Sequence, residues 1–180
     1  LWNQWNVWIP HEYDETFKVY GYYSTNITAK LKAIVLNTNY CSRLNFWLLY
    51  NPIDPGNQLK WLINELNQAE SIGQMVYIVG HIAIDTYQCA PIWVHNYLKI
   101  IQRYQSTILA QFFGHTHFDE IKIYYENSNG NGNGIVDDKK PMSIGYLGPS
   151  VTTYDQLNPA FRLYQLDQYV SIASSIHSNT

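Results

Sequence analysis

Charged residues are scarce in this chain of 180 residues. They make up 14% of it, as 11 basic and 14 acidic side chains with a net charge of −3. No long run of either sign occurs. Because proteins that bind nucleic-acid polymers carry clustered positive charge, this composition argues against such a partner.

Long apolar runs are lacking as well. A membrane-spanning helix needs about 18 or more consecutive apolar residues, and the absence of such a stretch excludes a predicted transmembrane segment. The opening LWNQWNVWIP has neither the basic head nor the small-residue cleavage site of a signal peptide. An exported protein whose leader has been removed would begin in the same way.

Cysteine is nearly absent, since the chain contains only Cys41 and Cys89. Two cysteines can form a disulfide or remain buried thiols, and their pattern alone leaves both alternatives open. One glycosylation sequon, Asn26-Ile27-Thr28, makes Asn26 a candidate acceptor. Both features are compatible with an exported protein.

Apolar residues, in contrast, make up 46% of the chain and aromatic residues 16%, which indicates one globular domain or part of one. Trp2, Trp5 and Trp8 recur every three residues and predict a helix that ends before Pro10. We expect this helix to pack on a core, the alternative being an exposed stripe that contacts a membrane.

Buried strands and amphipathic helices alternate over the first two thirds of the chain. Strands are predicted over 31–38, 75–81 and 108–117, and helices over 54–73 and 93–107. Asp54 and Pro55 mark the start of the first of these helices, and Gly73 marks its end. Strands joined through helices pair in parallel, so the order predicts an α/β fold.

After residue 118 the pattern changes to an alternation of apolar and polar residues. Strands that close a second sheet or a meander are predicted over 120–126, 142–150, 161–167 and 169–175. The insert NSNGNGNG at 127–134 predicts a flexible hairpin loop. Its spacing imitates a calcium loop, but only Asp138 supplies a carboxylate there, so we expect no calcium site.

Histidines follow the ends of two predicted strands, as Gly80-His81 and as Gly114-His115-Thr116-His117. Ligands of open α/β sheets bind at the carboxyl ends of strands. Residues i and i+2 of an extended chain project to one side, so His115 and His117 are expected to face one cavity with His81. Three converging imidazoles predict a divalent metal site.

The remaining histidines, His11, His95 and His177, have no such setting and are interpreted as surface or core residues. A single histidine at a strand end is also more often a structural residue than a ligand, so the metal prediction depends on the three imidazoles acting together.

Oxygen ligands for such a site are not evident in the sequence. A hydrolytic two-metal centre normally needs carboxylates besides imidazoles, yet no Asp-x-His, Gly-Asp or Gly-Asn-His motif occurs. Asp119 and Glu120 follow the histidines directly but begin the next predicted strand, where we expect them to face solvent. The carboxylates must therefore come from another segment.

Four segments resemble, in order and spacing, the acid sphingomyelinase branch of the calcineurin-like metallophosphoesterases. They are NTNYCSRLNFWLLYNPIDPGNQLKWL, VYIVGH, AQFFGHTHFDE and GPSVTTYDQLNPAFRLYQLD. GHTH is shared by the superfamily, whereas NFW, TTY and LNPAFR are typical of this branch. The resemblance implies an α/β fold that is part of a β-sandwich flanked by helices, with residues 1–180 as the carboxyl-terminal half of a catalytic domain.

The same resemblance implies two divalent metal ions, with zinc expected. His81 and His115 would bind one ion and His117 the other. The missing amino-terminal half, as a partner chain or segment, would supply the carboxylates and the proton donor, so no catalytic residue of that kind is expected in this chain. The resemblance also implies a Cys41–Cys89 disulfide and a secreted protein or one of the lysosomal or vacuolar lumen.

Tyr154, in the Thr-Thr-Tyr turn, is the local candidate for a substrate contact, the alternative being a tyrosine that plugs the sheet edge. Two departures from the family lie near the expected entrance. Ile82-Ala83-Ile84-Asp85 replaces an Ile-Pro-Pro-Gly stretch, and Leu44 replaces an acidic residue. Because of these departures, the resemblance does not predict which substrate head group is preferred.

Three functions are consistent with this sequence. The first is hydrolysis of sphingomyelin-like phospholipids to a ceramide-like alcohol and phosphocholine. The second is hydrolysis of nucleotide phosphodiesters or pyrophosphates, as in relatives of this branch. The third is a binding subunit that has lost its metals and is not catalytic.

Overall fold

The computed structural model describes residues 2–9, 11, 14–85, 87–126 and 140–166. These residues form one six-stranded mixed sheet in the order β1-β2-β3-β4-β6-β5. The strands are β1 (Tyr23–Thr28), β2 (Leu31–Val35), β3 (Met75–Val79), β4 (Ile108–Phe113), β5 (Glu120–Tyr125) and β6 (Pro141–Leu147). The helices are α1 (Trp2–Trp5), α2 (Asp14–Tyr20), α3 (Gln58–Ser71) and α4 (Pro91–Arg103).

The parallel α/β prediction is confirmed. β2, β3, β4 and β6 pair in parallel, whereas β1 and β5 are antiparallel strands at the two edges. α3 connects β2 to β3 and α4 connects β3 to β4. These crossovers bring the carboxyl ends of β3 and β4 side by side, and the predicted site follows those ends.

Helix α3 begins at Gln58 and not at the predicted start at Asp54, because Gly56 and Asn57 have left-handed φ angles (66° and 54°) and residues 55–57 form a separate 3₁₀ turn. The Asp54 carboxylate accepts hydrogen bonds from the backbone N–H groups of Leu59 (2.8 Å) and Lys60 (3.1 Å). Those groups belong to the first turn, which has no partners within the helix. Gly73 ends the segment with φ of 66°, a left-handed conformation that glycine adopts without strain.

The core lies between the two crossover helices and one face of the sheet. It includes Leu62 and Leu66 of α3 and Trp93 and Ile101 of α4, none of which is exposed to solvent. Ile78 meets them from β3 and is also fully buried. Full burial of each such side chain contributes about 1.5–3 kcal/mol to folding.

The opposite face of the sheet is not covered by α3 or α4. α2 packs at its β1 edge, where the Phe17 ring meets Tyr23 (centroids 5.8 Å apart). Successive strand residues point to opposite faces, so Tyr77, between the buried Val76 and Ile78, lies on this open face. Its ring packs on Phe112 (centroids 5.2 Å apart), which packs in turn on Tyr146 (5.7 Å). The open face therefore presents a half-buried aromatic layer.

The prediction of a second sheet is wrong. β6 pairs with β4 through residues 111–113 and 145–147, and β5 pairs with β6, so both strands extend the first sheet. The physical reason is that β4 offers an unpaired edge, which β6 covers. Residues 161–166 form no strand, and instead Tyr164 packs its ring on Phe112 (5.0 Å).

The predicted amino-terminal helix is also only partly correct. α1 ends at Trp5, and residues 6–8 form a turn, so the helical spacing does not continue to Trp8. Trp8 is 79% exposed, whereas Ile9 is buried. The expected packing of the tryptophan face on the core is therefore wrong for Trp5 and Trp8. The edge strand β1 and the helix α2 were not predicted.

Several sequence features lie outside the described residues, namely the insert at 127–134, Asp138, the predicted strand at 169–175 and His177. Within the described part of the chain, no helix is both long enough and apolar enough to cross a membrane.

Candidate metal centre

The turns after β3 and β4 lie against each other. The Gly114 N–H donates a hydrogen bond to the His81 carbonyl (2.9 Å), and the Gly80 N–H donates to the Phe112 carbonyl (2.9 Å). A Cβ atom on Gly80 would lie 2.8 Å from the Thr38 methyl group, so only glycine fits there without displacement. Gly80 thus allows the histidine-bearing turns to approach closely, whereas a Cβ on Gly114 would make an ordinary contact with the His81 ring at 3.9 Å.

Thr38 fixes the turn that carries His81. Its buried hydroxyl accepts hydrogen bonds from the N–H groups of His81 (3.2 Å) and Ile82 (2.9 Å). No sequence motif indicates this role, because Thr38 lies more than 40 positions from the residues it binds.

His81 and His115 are brought together at the strand ends. His81 Nε2 lies 3.2 Å from His115 Nδ1, and the two rings meet at 78° with centroids 5.1 Å apart. Partial burial lowers the pKa of His81, and the neighbouring imidazoles of His115 and His117 lower it further. The neutral ring, which is the form that ligates metals, is therefore favoured.

The sequence predicted that His115 and His117 project to one side because they lie on an extended strand. That prediction is wrong, because this segment is not extended. β4 ends at Phe113, and His115 and His117 have φ angles of 76° and 67°. Thr116, between them, donates its N–H to the Gly114 carbonyl (3.0 Å). Left-handed turns, and not strand alternation, orient the two imidazoles.

His117 lies close enough to affect the pKa of His81 but stands apart from the His81–His115 pair. Its ring meets the edge of Tyr154, with centroids 5.6 Å apart. Its Nδ1 atom is buried and has no hydrogen-bond partner. In the part of the chain that the structure describes, no three His, Cys, Asp or Glu side chains form a group that could hold a metal ion. The three-histidine centre therefore stays a prediction.

The donor atoms nevertheless fit metal ions. Two nitrogens bound to one tetrahedral zinc ion at about 2.0–2.1 Å lie about 3.3 Å apart, and His81 Nε2 and His115 Nδ1 have nearly this separation. A buried ring nitrogen without a partner, as in His117, is costly unless something binds it. Neutral imidazoles are preferred ligands of zinc and related ions.

The acidic residues after the histidines are engaged elsewhere. Asp119 forms an ion pair with Arg162, and Glu120 accepts a hydrogen bond from the Thr116 hydroxyl (2.8 Å). Both carboxylates are exposed, as expected. Of the other histidines, His11 and His95 are exposed.

Tyr154 begins a short 3₁₀ helix and is 66% exposed. Its ring lies beside His117, and its role as a substrate contact stays a prediction. A cavity of about 250 Å³ opens next to His115. Its lining includes Asp85, Tyr87, Gln88, Glu120 and Lys122. Gln88 was not singled out by the sequence, which offers no motif for it.

The Cys41–Cys89 disulfide is present, and both cysteines are fully buried. It joins the turn after β2 to the loop that follows His81. A β-bridge between Ser42 and Cys89 runs beside it. The covalent link therefore lies next to the metal-ligand candidates.

Asn26 lies on the edge strand β1 and is exposed. The Gln74 side chain donates a hydrogen bond to its Oδ1 atom (3.0 Å). Glycosylation of Asn26 stays a prediction, and its position on an exposed edge is compatible with a glycan.

Known proteins resemble this chain along most of its length. Sphingomyelin phosphodiesterases of Bos taurus and Homo sapiens are each 42% identical over 172 residues, 96% of this chain and 26% of the relative. A Mus musculus protein named cyclic GMP-AMP phosphodiesterase SMPDL3A is 34% identical over 176 residues, 89% of this chain and 37% of its own length. No family model matches the chain.

Among solved structures, a dimetal phosphatase from Danio rerio shares 14% identity and a TM-score of 0.45, over 72% of this chain and 49% of that one. This likeness is too weak to carry an argument. The chain spans about a quarter of the length of the sphingomyelin phosphodiesterases it matches. Identity of 42% along nearly the whole chain, with the branch-specific motifs in order, shows that it belongs to the acid sphingomyelinase branch of the calcineurin-like metallophosphoesterases.

Proposed function

We propose that the protein containing this chain is a metal-dependent phosphodiesterase. It hydrolyses sphingomyelin-like phospholipids to a ceramide-like alcohol and phosphocholine. The observation that carries this proposal is the approach of His81 Nε2 to His115 Nδ1 (3.2 Å) at adjacent strand ends, in a chain 42% identical to sphingomyelin phosphodiesterases.

In this proposal His81 and His115 hold one divalent ion and His117 holds a second, with zinc expected. Two bound ions would stabilise the charge that develops on the phosphoryl oxygens and would generate a hydroxide nucleophile. The chain itself supplies neutral nitrogen donors and keeps them in fixed turns. His81 is suited to this role because its lowered pKa leaves the lone pair free.

The oxygen ligands and the proton donor come from another part of the protein. The open face of the sheet supports this, because apolar side chains on it lack cover among the described residues. Ile121, opposite Tyr146 in the β5–β6 pairing, is 57% exposed. A second layer that packs here would bury this face and bring its own ligands to the strand ends.

A lipid substrate is favoured by the surface beside the site. Leu44 is 85% exposed, and Phe46 and Trp47 after it are also exposed. The Ser42–Cys89 bridge holds this segment next to the loop that carries Gln88. Exposed apolar and aromatic side chains at this position suit the acyl chains or the surface of a lipid aggregate, with Tyr154 as a substrate contact on the far side of His117.

The proposed location is the secretory pathway, as a secreted protein or one of the lysosomal or vacuolar lumen. Disulfides persist in oxidising compartments, and this chain has a disulfide between Cys41 and Cys89. The exposed Asn26 sequon is a second feature of that route.

A second candidate is hydrolysis of nucleotide phosphodiesters. The relative named cyclic GMP-AMP phosphodiesterase favours it, at 34% identity. Both candidates use the same metal ligands and differ in the surface that receives the remainder of the substrate.

The test uses the purified full-length protein. Metal content is measured by elemental analysis, and hydrolysis is assayed against sphingomyelin in detergent micelles and against cyclic dinucleotides. We expect bound divalent metal and cleavage of sphingomyelin. In His115→Ala we expect loss of cleavage and of the ion that His81 and His115 hold. The matched control is His95→Ala, because His95 is exposed on α4 and is not a predicted metal ligand.

The outcomes separate the candidate functions. Preferential cleavage of the cyclic dinucleotide would replace the lipid substrate by a nucleotide. Protein without metal and without either activity would indicate the non-catalytic binding subunit.

A further inference from the structure

The Gln88 side chain contacts the ring nitrogen of His115 that faces away from His81. Gln88 Oε1 lies 3.3 Å from His115 Nε2, while His115 Nδ1 lies 3.2 Å from His81 Nε2. The two nitrogens of one imidazole thus have separate partners. The ring is held between the cavity wall and the candidate metal ligand.

The chemistry of these partners selects one tautomer. A neutral imidazole carries a single N–H, and its other nitrogen carries a lone pair. A carboxamide oxygen can only accept a hydrogen bond, so the contact with Gln88 Oε1 favours the tautomer with the His115 N–H on Nε2. The lone pair then lies on Nδ1, which points toward His81.

The backbone of Gln88 is fixed on both sides. Its N–H donates to Asp85 Oδ1 (2.9 Å), and its carbonyl accepts from the Arg43 N–H (3.0 Å). The other Asp85 oxygen pairs with Lys122 of β5. The next residue, Cys89, is in the disulfide. The loop that carries the Gln88 carboxamide is therefore held by several contacts. Less conformational entropy is lost when its hydrogen bond to His115 forms than in a flexible loop.

We infer that Gln88 is a positioning residue for metal binding, which accepts the Nε2–H of His115 and so presents the Nδ1 lone pair to a divalent ion. The inference rests on the proposed metal-dependent function. Hydrogen bonds to the outer nitrogen of a ligating histidine fix its orientation and commonly change metal affinity by about 10–100-fold.

The experiment compares Gln88→Met and Gln88→Glu with wild type in the full-length protein. Methionine keeps the length of the side chain and removes the oxygen acceptor, whereas glutamate keeps an acceptor in place. Gln105→Met is the matched control, because Gln105 is also half-buried and contacts Glu126 instead of a histidine. Zinc affinity is measured by competition with a chelator, and thermal unfolding confirms that each variant folds.

We expect Gln88→Met to bind zinc about 10–100-fold more weakly, as for other outer-sphere partners of ligating histidines. Gln88→Glu should bind at least as tightly as wild type, and Gln105→Met should be unchanged. In the metal-free protein, ¹⁵N NMR should place the His115 proton on Nε2 in wild type and show a mixture of tautomers in Gln88→Met.

Two results would overturn the inference while leaving the proposed function intact. One is equal zinc affinity in wild type and a folded Gln88→Met variant. The other is a His115 proton on Nδ1 in the wild type, which would mean that the Gln88 amide donates to the ring. A wild-type protein that binds no zinc would instead refute the proposed function, and this inference with it.

Discussion

At the scale of single residues, the candidate site depends on groups that hold the histidines and not on the histidines alone. Thr38, Gly80 and Gln88 each act on a turn or a ring that carries a nitrogen donor. Their partners are distant in the chain, and contacts of this kind leave no trace in local sequence patterns. The histidines themselves were predictable because Gly-His follows two buried strands.

Replacing Thr38 by valine keeps the shape of the side chain but removes the acceptor for two N–H groups. Unsatisfied buried donors cost about 1–3 kcal/mol, so we expect a loss of that size in the free energy of unfolding. Urea denaturation measures it. Thr25→Val, at a half-buried position on β1, is the control. A Thr38→Val variant as stable as that control would contradict the assigned role.

The lowered pKa of His81 predicts a pH dependence of stability. Between the ordinary histidine pKa of about 6.5 and the lower folded value, the unfolded chain binds a proton that the folded metal-free protein does not. The free energy of unfolding should therefore fall as the pH drops below about 6.5 and level off below the folded pKa.

The check is an NMR titration of His81 in metal-free protein, together with urea denaturation across this pH range. His81→Asn should remove part of the slope, because asparagine does not titrate. A His81 midpoint at or above the ordinary histidine value would show that the ring is not disfavoured in its charged form.

At the scale of elements, the crossover helices α3 and α4 decide where the site forms. They make β2, β3 and β4 parallel, so the turns after β3 and β4 share one edge of the sheet. The start of α3 is secured by the Asp54 carboxylate, and its apolar side chains are buried on the core face.

Asp54→Ala removes both hydrogen bonds to the first turn of α3. A helix cap of this kind contributes about 0.5–2 kcal/mol, and we expect a decrease of that size in the free energy of unfolding. Thermal or urea denaturation measures it. Asp54→Asn retains a side-chain acceptor and should lose less; equal losses in the two variants would mean that the charge, and not the cap, stabilises the helix.

At the scale of the whole molecule, two features bear on the compartment and on the larger protein in which this chain functions. They are the disulfide beside the site and the open aromatic face of the sheet. The first links two loops whose cysteines are separated by 48 positions in the sequence. The second leaves apolar side chains in contact with solvent, and we propose that another part of the full-length protein covers them.

Replacing both Cys41 and Cys89 by serine should lower the free energy of unfolding by about 4 kcal/mol, the chain-entropy value for a closed loop of this length. Urea denaturation of the oxidised wild type and the double variant measures the difference. Because the disulfide braces the Gln88 loop, zinc affinity should fall too. Two free thiols in the native protein would contradict the bond.

Ile121→Glu tests whether the rest of the protein covers the open face. A surface substitution usually changes stability by less than about 0.5 kcal/mol, whereas an unpaired carboxylate in a buried layer costs several times more. We expect the large effect in the full-length protein. Ile72→Glu, at an exposed isoleucine just after α3, is the control. If both substitutions changed the free energy of unfolding by an equal and small amount, the open face would be exposed to solvent in the full-length protein.

The sequence by itself determined the α/β order, the capping residue Asp54, the terminating glycine Gly73 and the identity of the histidine donors, because hydrophobic period, caps and glycines act over a few residues. Its alternation after residue 118 predicted strands but not their partners, since strand pairing depends on which edge is free. Only the tertiary structure decided that β6 joins β4, that left-handed turns orient His115 and His117, and that Thr38 and Gln88 hold the site. Those features arise from contacts between segments far apart in the chain, and such contacts are specified by packing and hydrogen-bond geometry that no local pattern encodes.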